Sequence, residues 1–116
     1  MTSTTIDPTQ LPATIRAFLA AHAAKEADAA ARTFATEVVV VDDGRTFHGA
    51  AEVRAFLHEA GTEYTYTTEL VGAERLDDGR WVAVNRLEGD FPGGLVELRY
   101  GFTLVDDLIT ELVIEP

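Results

Sequence analysis

The sequence has no cysteine, few basic residues and no long apolar run. The absence of cysteine excludes disulfides, thiolate metal ligands and cysteine nucleophiles. Nine Lys and Arg against 20 Asp and Glu give a net charge of −11, and a surface of this sign repels phosphate groups, so we expect neither nucleic acid nor membrane as a partner. No segment has the roughly 18 apolar residues of a membrane span, and the N-terminus shows no signal-peptide pattern. We therefore expect a cytoplasmic protein.

Cofactor-binding motifs are also missing. The sequence has no glycine-rich phosphate loop, nucleophile elbow or dinucleotide-binding fingerprint, and the turn-rich segment GDFPGG (89–94) lacks the strand-to-helix context of such a loop. We expect no cofactor. A chain of 116 residues, 47% of them hydrophobic, is long enough for one core. Residues 1–8 are polar and Thr-rich, and we predict a flexible lead-in there, followed by a single domain over residues 9–116.

The first half of this domain alternates between helical and strand patterns. Apolar residues at helical spacing predict a helix from Thr9 to Ala23, and the alanine-rich run KEADAAARTF predicts a short second helix. The run VVVVDDG predicts a buried strand that ends in a turn, with a brief return strand over residues 45–48. A third helix is predicted after Gly49, ending at Gly61.

The remainder reads as four long strands. They are predicted over residues 62–76, 80–88, 95–104 and 108–116, because β-rich segments there alternate in polarity and are separated by turn residues. Glu97 and Arg99 alternate with Tyr100, and Arg86 lies on the outer side of its own strand, which predicts a cross-strand ion-pair ladder. The order predicts an α+β protein whose helices cover one face of a curved antiparallel sheet.

This order resembles the nuclear transport factor 2-like superfamily, especially its SnoaL-like and ketosteroid-isomerase-like members. The likeness rests on a helix pair followed by Phe34, a strand ending at Asp42, and a helix with Gly49, Val53 and Phe56. It implies a cone-shaped, cystatin-like α+β roll, with three N-terminal helices on a strongly curved, mainly antiparallel sheet. It also implies a small-molecule pocket inside the cone and a homodimer formed through the outer sheet face. Fold alone does not determine activity in such a family.

Asp42 is the principal candidate for chemistry. The resemblance places the isomerases' catalytic aspartate there, and a carboxylate at the end of an apolar strand would be partly desolvated and more basic than one on the surface. The alternative is that Asp42 and Asp43 only form the turn before Gly44. Adjacent residues of a strand point to opposite faces, so these two aspartates are not expected to share a metal ion.

The partners of Asp42 differ from those of the isomerases. The helix-one tyrosine that donates a hydrogen bond there falls on Phe18, and the second donor falls near Tyr100, so steroid isomerisation by the known donor pair is not expected. His48, at the start of the third helix, is the predicted acid/base partner, with Tyr100 assisting. His22 is predicted to be a hydrogen-bonded packing residue, and His58 to lie near a helix end.

Three functions remain open at this point. The first is an acid/base enzyme of isomerase, cyclase or dehydratase type acting on a hydrophobic carbonyl compound, with Asp42, His48 and Tyr100 as catalytic residues. The second is a non-catalytic binder of an apolar molecule, and the third is a homodimerisation module. For either pocket function the predicted wall contains Phe18, Val40, Tyr66, Trp81, Asn85 and Leu87.

Overall fold

Three α-helices lie in the first half of the chain, where the sequence keeps a helical period. In the computed structural model, which describes residues 3–60 and 64–116, they are α1 (Ala13–Ala23), α2 (Ala27–Ala31) and α3 (Gly49–Ala60). The first helix starts later than predicted because Pro12 occupies its N-cap with extended backbone angles. The preceding turn, Pro8–Gln10, is a separate 3₁₀ helix capped by Asp7. Gly61, the predicted end of α3, lies outside the described residues.

Seven strands form one curved sheet in the order β1-β4-β5-β6-β7-β2-β3. All neighbours are antiparallel except β2 and β7, which are parallel. The predicted α+β architecture is confirmed, and the register shifts within β2, β4 and β6–β7 are the kind of irregularity that bends a sheet. The strands are β1 (Thr4–Ile6), β2 (Phe34–Asp42), β3 (Arg45–His48), β4 (Tyr66–Asp77), β5 (Arg80–Gly89), β6 (Leu95–Val105) and β7 (Leu108–Glu115).

The N-terminal segment departs from the predicted flexible lead-in. Thr4–Ile6 pairs antiparallel with β4, and the Ser3 hydroxyl donates to Glu74 Oε1 at 2.7 Å. The edge of β4 offers unpaired backbone groups, and any extended segment can satisfy them whatever its side chains. A strand of three residues is too short to show a period in the sequence, and its partner lies about 70 residues away along the chain.

The core lies between α1 and the concave face of the sheet. Phe18 is fully buried and contacts the rings of Phe34 and Phe102, with centroid distances of 5.3 and 5.6 Å. Val38 and Val40 of β2 are also fully buried. No helix among the described residues has the length and apolar character needed to cross a bilayer.

The outer face of the sheet carries the predicted ion-pair ladder. Arg86 pairs with Glu97 at 3.0 Å and with Glu69 at 4.0 Å, while Arg99 pairs with Glu74 at 2.8 Å. These pairs join β4, β5 and β6, so the cross-strand ladder is confirmed. The homodimer that the resemblance implies for this face stays a prediction.

Candidate functional site

A cavity of about 430 Å³ lies where the concave face of the sheet meets the C-terminal end of α1. We call it the Asp42 cavity. Most of its wall is apolar or aromatic. Its polar groups are two aspartates, three tyrosines and one histidine. The lining residues are His22, Asp42, Asp43, Phe56, Tyr64, Tyr66, Leu87, Phe91, Pro92, Val96, Leu98, Tyr100 and Ile114.

Asp42 reaches this cavity because it is the last residue of β2. Its neighbour two positions back, Val40, is fully buried on the same face of the strand. The tight turn is made by Asp43 and Gly44, whose φ angles are 52° and 78°. Left-handed angles at both central positions are those of a two-residue hairpin turn. The turn thus uses Asp43 and Gly44, while Asp42 stays in the strand and lines the cavity.

Two phenols lie within the electrostatic reach of Asp42. Tyr100 is 2% exposed, and burial raises the pKa of its hydroxyl, with the nearby Tyr66 and the Asp42 carboxylate adding to the increase. Burial also raises the pKa of Tyr66, and Asp42 again contributes. Both hydroxyls are therefore protonated at neutral pH and can donate hydrogen bonds inside an apolar cavity.

His22 lines the cavity, although the sequence predicts only a packing role for it. Its ring stacks on Phe18 at 5.3 Å, and its Nε2 lies 3.4 Å from the Tyr100 hydroxyl oxygen, so the predicted hydrogen-bonded packing role is confirmed. Burial lowers the pKa of His22 from 6.5 to about 4, which leaves the ring neutral at pH 7. His22 lies four residues after Phe18, on the face of α1 that packs against the sheet, and this spacing indicates in the sequence that its side chain faces the sheet.

His48 does not join the cavity. The turn pairs Asp42 with Arg45 and therefore pairs His48 with Val39, which puts His48 on the opposite face of the sheet from Asp42. Its side chain is exposed, and its backbone N–H donates to Glu52 Oε1 at 3.1 Å at the start of α3. The prediction that His48 is the acid/base partner of Asp42 is therefore wrong on geometry.

Trp81 lies too far along β5 to line the Asp42 cavity. Leu87, which does line the cavity, is six positions further along the strand, and at a rise of about 3.3 Å per residue the separation is about 20 Å. The Trp81 ring instead lies under the Arg75 guanidinium, 5.4 Å from centroid to Cζ. The prediction that Trp81 lines this wall is wrong, because residues on the same face of a long strand can lie too far apart to share one cavity.

The other predicted wall residues divide into two groups. Tyr66 and Leu87 line the cavity as expected. Phe18 and Val40 are fully buried beneath it and support the wall without lining it. Asn85, 2% exposed, lines a neighbouring cavity.

The segment GDFPGG supplies a further part of the wall that the sequence did not predict. Phe91 contacts Tyr64 and Tyr66, with ring centroids 6.1 and 6.5 Å apart. Lys25 Nζ also lies over the Tyr66 ring, 4.7 Å from its centroid. These residues are far apart in sequence, so only the folded chain brings them to one rim. No cluster of three or more potential metal ligands occurs within residues 3–60 and 64–116.

Comparisons with known proteins support the fold. A candidate polyketide cyclase from Sinorhizobium meliloti has a TM-score of 0.87 and 27% identity, covering 95% of this chain and 100% of that chain. A protein of ketosteroid isomerase-like fold from Catenulispora acidiphila, solved in complex with trimethylamine, has a TM-score of 0.79 and 17% identity, with 90% and 85% covered. A cystatin-fold protein from Novosphingobium aromaticivorans has a TM-score of 0.75 and 13% identity, with 89% and 95% covered.

At the level of sequence, no protein of curated function matches significantly. The profile of the SnoaL-like domain matches residues 15–112, which is most of the chain. This range runs from α1 to β7 and contains Asp42, Tyr66 and Tyr100. The chain therefore belongs to the SnoaL-like domain family.

Proposed function

We propose that the protein catalyses proton transfer at the carbon beside the carbonyl of a small hydrophobic molecule bound in the Asp42 cavity. The observation that carries this proposal is the grouping of the Asp42 carboxylate with the protonated phenols of Tyr66 and Tyr100, in a cavity whose other lining residues are mostly apolar. A cavity of about 430 Å³ falls within the range of small-molecule sites. A carbonyl compound with an acidic α-hydrogen is the substrate class that suits this grouping.

Each group has a defined part in the reaction. The Asp42 carboxylate takes the α-proton, and the electron pair of the broken C–H bond forms the enolate, whose charge collects on the former carbonyl oxygen. Tyr100 or Tyr66 donates a hydrogen bond to that oxygen, because a donor held in place where the charge develops stabilises the transition state. The proton then returns from Asp42 to carbon. Alternatively, the enolate carbon attacks a second carbonyl of the same molecule and closes a ring, and the alkoxide formed when that C=O π bond breaks takes the proton from Asp42.

The donors differ from those of the ketosteroid isomerases. Phe18 stands where those enzymes have a helix-one tyrosine, and it is fully buried, so it offers no hydroxyl. Tyr66 and Tyr100, which lie on β4 and β6, are the hydrogen-bond donors instead. His22 is a positioning residue, because as a neutral ring 3.4 Å from the Tyr100 hydroxyl it restricts where that hydroxyl points.

The test uses 2-tetralone, a bicyclic ketone, in D₂O, with NMR following the exchange of its α-hydrogens. We expect the protein to accelerate exchange above the buffer rate, Asp42→Asn to reduce the acceleration by about 100-fold or more, and Tyr100→Phe to reduce it by about 100-fold. Asp106→Asn is the matched control. Asp106 is exposed, lies in the β6–β7 turn and has a left-handed φ of 52° that Asn tolerates.

A second candidate is non-catalytic binding of the same class of molecule, favoured by the phenylalanine at the isomerases' donor position. The two functions separate in one experiment. Binding of 2-tetralone at the Asp42 cavity, seen as shifts of the Tyr66 and Tyr100 resonances, with exchange at the buffer rate would support the binder. Exchange that survives in Asp42→Asn would refute the catalytic role of that carboxylate.

A further inference from the structure

A second cavity of about 340 Å³ lies between α1 and the strands β4 and β5. We call it the Arg16 cavity. The helix contributes Arg16, Leu19, Ala20 and Ala23, whose spacings of three, four and seven residues place them on one face. Because two of the four are alanines, the helix leaves a gap over the sheet at this point. The opposite wall is Thr68, Leu70 and Asn85.

The N-terminal segment closes one side of the Arg16 cavity. Pro8 and Thr9 of the 3₁₀ turn line it. This turn is held by Asp7, which accepts hydrogen bonds from the Thr9 N–H at 2.9 Å and the Thr9 hydroxyl at 2.7 Å. Those bonds also lower the pKa of Asp7. The Thr9 hydroxyl is thus engaged with Asp7, and Thr9 contributes surface to the cavity without a spare donor.

Arg16 is the positively charged residue that lines this cavity, and a backbone carbonyl oxygen accepts a hydrogen bond from its guanidinium. Its Nε donates to the Leu11 carbonyl oxygen at 2.9 Å, and this contact is partly buried. In the part of the chain that the structure describes, no Asp or Glu pairs with Arg16. Most other arginines do pair with an acid, namely Arg54, Arg75, Arg80, Arg86 and Arg99. The terminal nitrogens of Arg16 therefore have the fork geometry that suits a carboxylate, and no carboxylate of residues 3–60 or 64–116 pairs with them.

We infer that the Arg16 cavity is a second binding site, which takes a monocarboxylic acid with a short hydrocarbon tail. The carboxylate pairs with the Arg16 guanidinium, and the tail lies on Leu19, Ala20, Ala23 and Leu70. Charge selects this occupant, because a protein of net charge −11 repels anions nearly everywhere else. The Asp42 cavity is lined by two aspartates and repels a carboxylate, so the two sites take different ligands.

The inference does not depend on the proposed function, and its test reports on different residues. The probe is octanoate, and 1-octanol and octylammonium are its neutral and cationic counterparts. Two-dimensional ¹H–¹⁵N NMR gives both the dissociation constant and the location. We expect octanoate to shift the backbone resonances of Leu19, Ala20, Thr68 and Leu70. Octanol should bind about tenfold more weakly, since a charge-assisted hydrogen bond contributes at least that factor, and octylammonium should bind more weakly still.

Three variants test the charge of Arg16 and the apolar space between α1 and the sheet. Arg16→Gln should weaken octanoate binding about tenfold, and Arg16→Lys, which keeps the charge, should retain part of the affinity. Ala23→Leu should weaken both octanoate and octanol by filling the gap between helix and sheet. Arg32→Gln is the matched control. It removes the same charge from an exposed residue after α2 that does not line the cavity, and it should bind octanoate like the wild type.

Several results would overturn the inference. These are octanoate shifts confined to the residues of the Asp42 cavity, equal affinity for octanoate and octanol, equal losses in Arg16→Gln and Arg32→Gln, or no binding at millimolar octanoate. A thermal melt of each variant shows whether it is folded. If Arg16→Gln unfolds, the comparison of octanoate with octanol on the wild-type protein still decides the matter.

Discussion

The buried neutral ring of His22 should make stability depend on pH in a way that one substitution removes. The pKa of His22 is lowered from 6.5 to about 4 because burial disfavours the charged ring. Between these two values the unfolded chain binds a proton that the folded protein does not. Stability from this group is therefore fully present above about pH 6.5, falls as the pH drops below it, and reaches its full loss below about pH 4.

The size of the effect follows from the two pKa values. At pH 5.0 the unfolded histidine is almost fully protonated while the folded one is mostly neutral, which costs the folded state about 2 kcal/mol relative to pH 8. The loss approaches about 3 kcal/mol at lower pH, an upper value because His22 retains some exposure to the cavity. Urea unfolding at pH 8.0, 6.0 and 5.0 measures this loss.

His22→Phe should lack this component, because phenylalanine keeps the stack on Phe18 and has no group to protonate. Subtracting its unfolding free energies from those of the wild type removes the contribution of the acidic residues, which is common to both. His48→Gln, an exposed histidine on the other face of the sheet, should follow the wild type. The reasoning is refuted if the wild type and His22→Phe lose the same free energy between pH 8.0 and 5.0. An NMR titration of the His22 ring with a midpoint near 6.5 would refute it as well.

Two further substitutions test the packing. Phe18→Ala should lower the free energy of unfolding by about 3–5 kcal/mol, because it opens a cavity at a fully buried ring. Gly89→Ala should lower it by about 1–3 kcal/mol, since a Cβ there would clash with the Thr65 carbonyl oxygen and lie 2.5 Å from Tyr66 Cβ, so β4 and β5 must shift. Urea unfolding measures both. Gly72→Ala is the control, because its nearest contact is an ordinary 3.7 Å, and a loss as large as that of Gly89→Ala would contradict this account.

The errors in the predicted site have separate physical causes. The place of His48 before α3 predicts a pocket residue, but the two-residue turn at Asp43 and Gly44 pairs His48 with Val39, on the opposite face of the sheet from Asp42. That signal was present in the sequence, because the length of a hairpin turn determines the register of its strands. The prediction for Trp81 is wrong because alternation along a strand indicates which face a residue lies on, but not how far along the strand it is from the cavity.

Other features could not be read from the sequence by any local rule. His22, Asp42, Tyr66 and Tyr100 come from α1, β2, β4 and β6, and their meeting depends on the curvature of the whole sheet. The strand Thr4–Ile6 exists because an edge of β4 is available to it. Burial by several distant elements together lowers the pKa of His22.

By itself the sequence determined the α+β class, most helices and strands, and the position of Asp42 at the end of a buried strand. These properties follow from period and turn chemistry, which act between residues close along the chain. The absence of cysteine excludes thiol chemistry in the same way. Only the tertiary structure decided which side chains share a cavity, that burial lowers the pKa of His22, and that Arg16, which pairs with no acid among the described residues, lies beside an apolar gap. Those outcomes depend on desolvation and hydrogen bonds between segments far apart in sequence, and no local pattern records them.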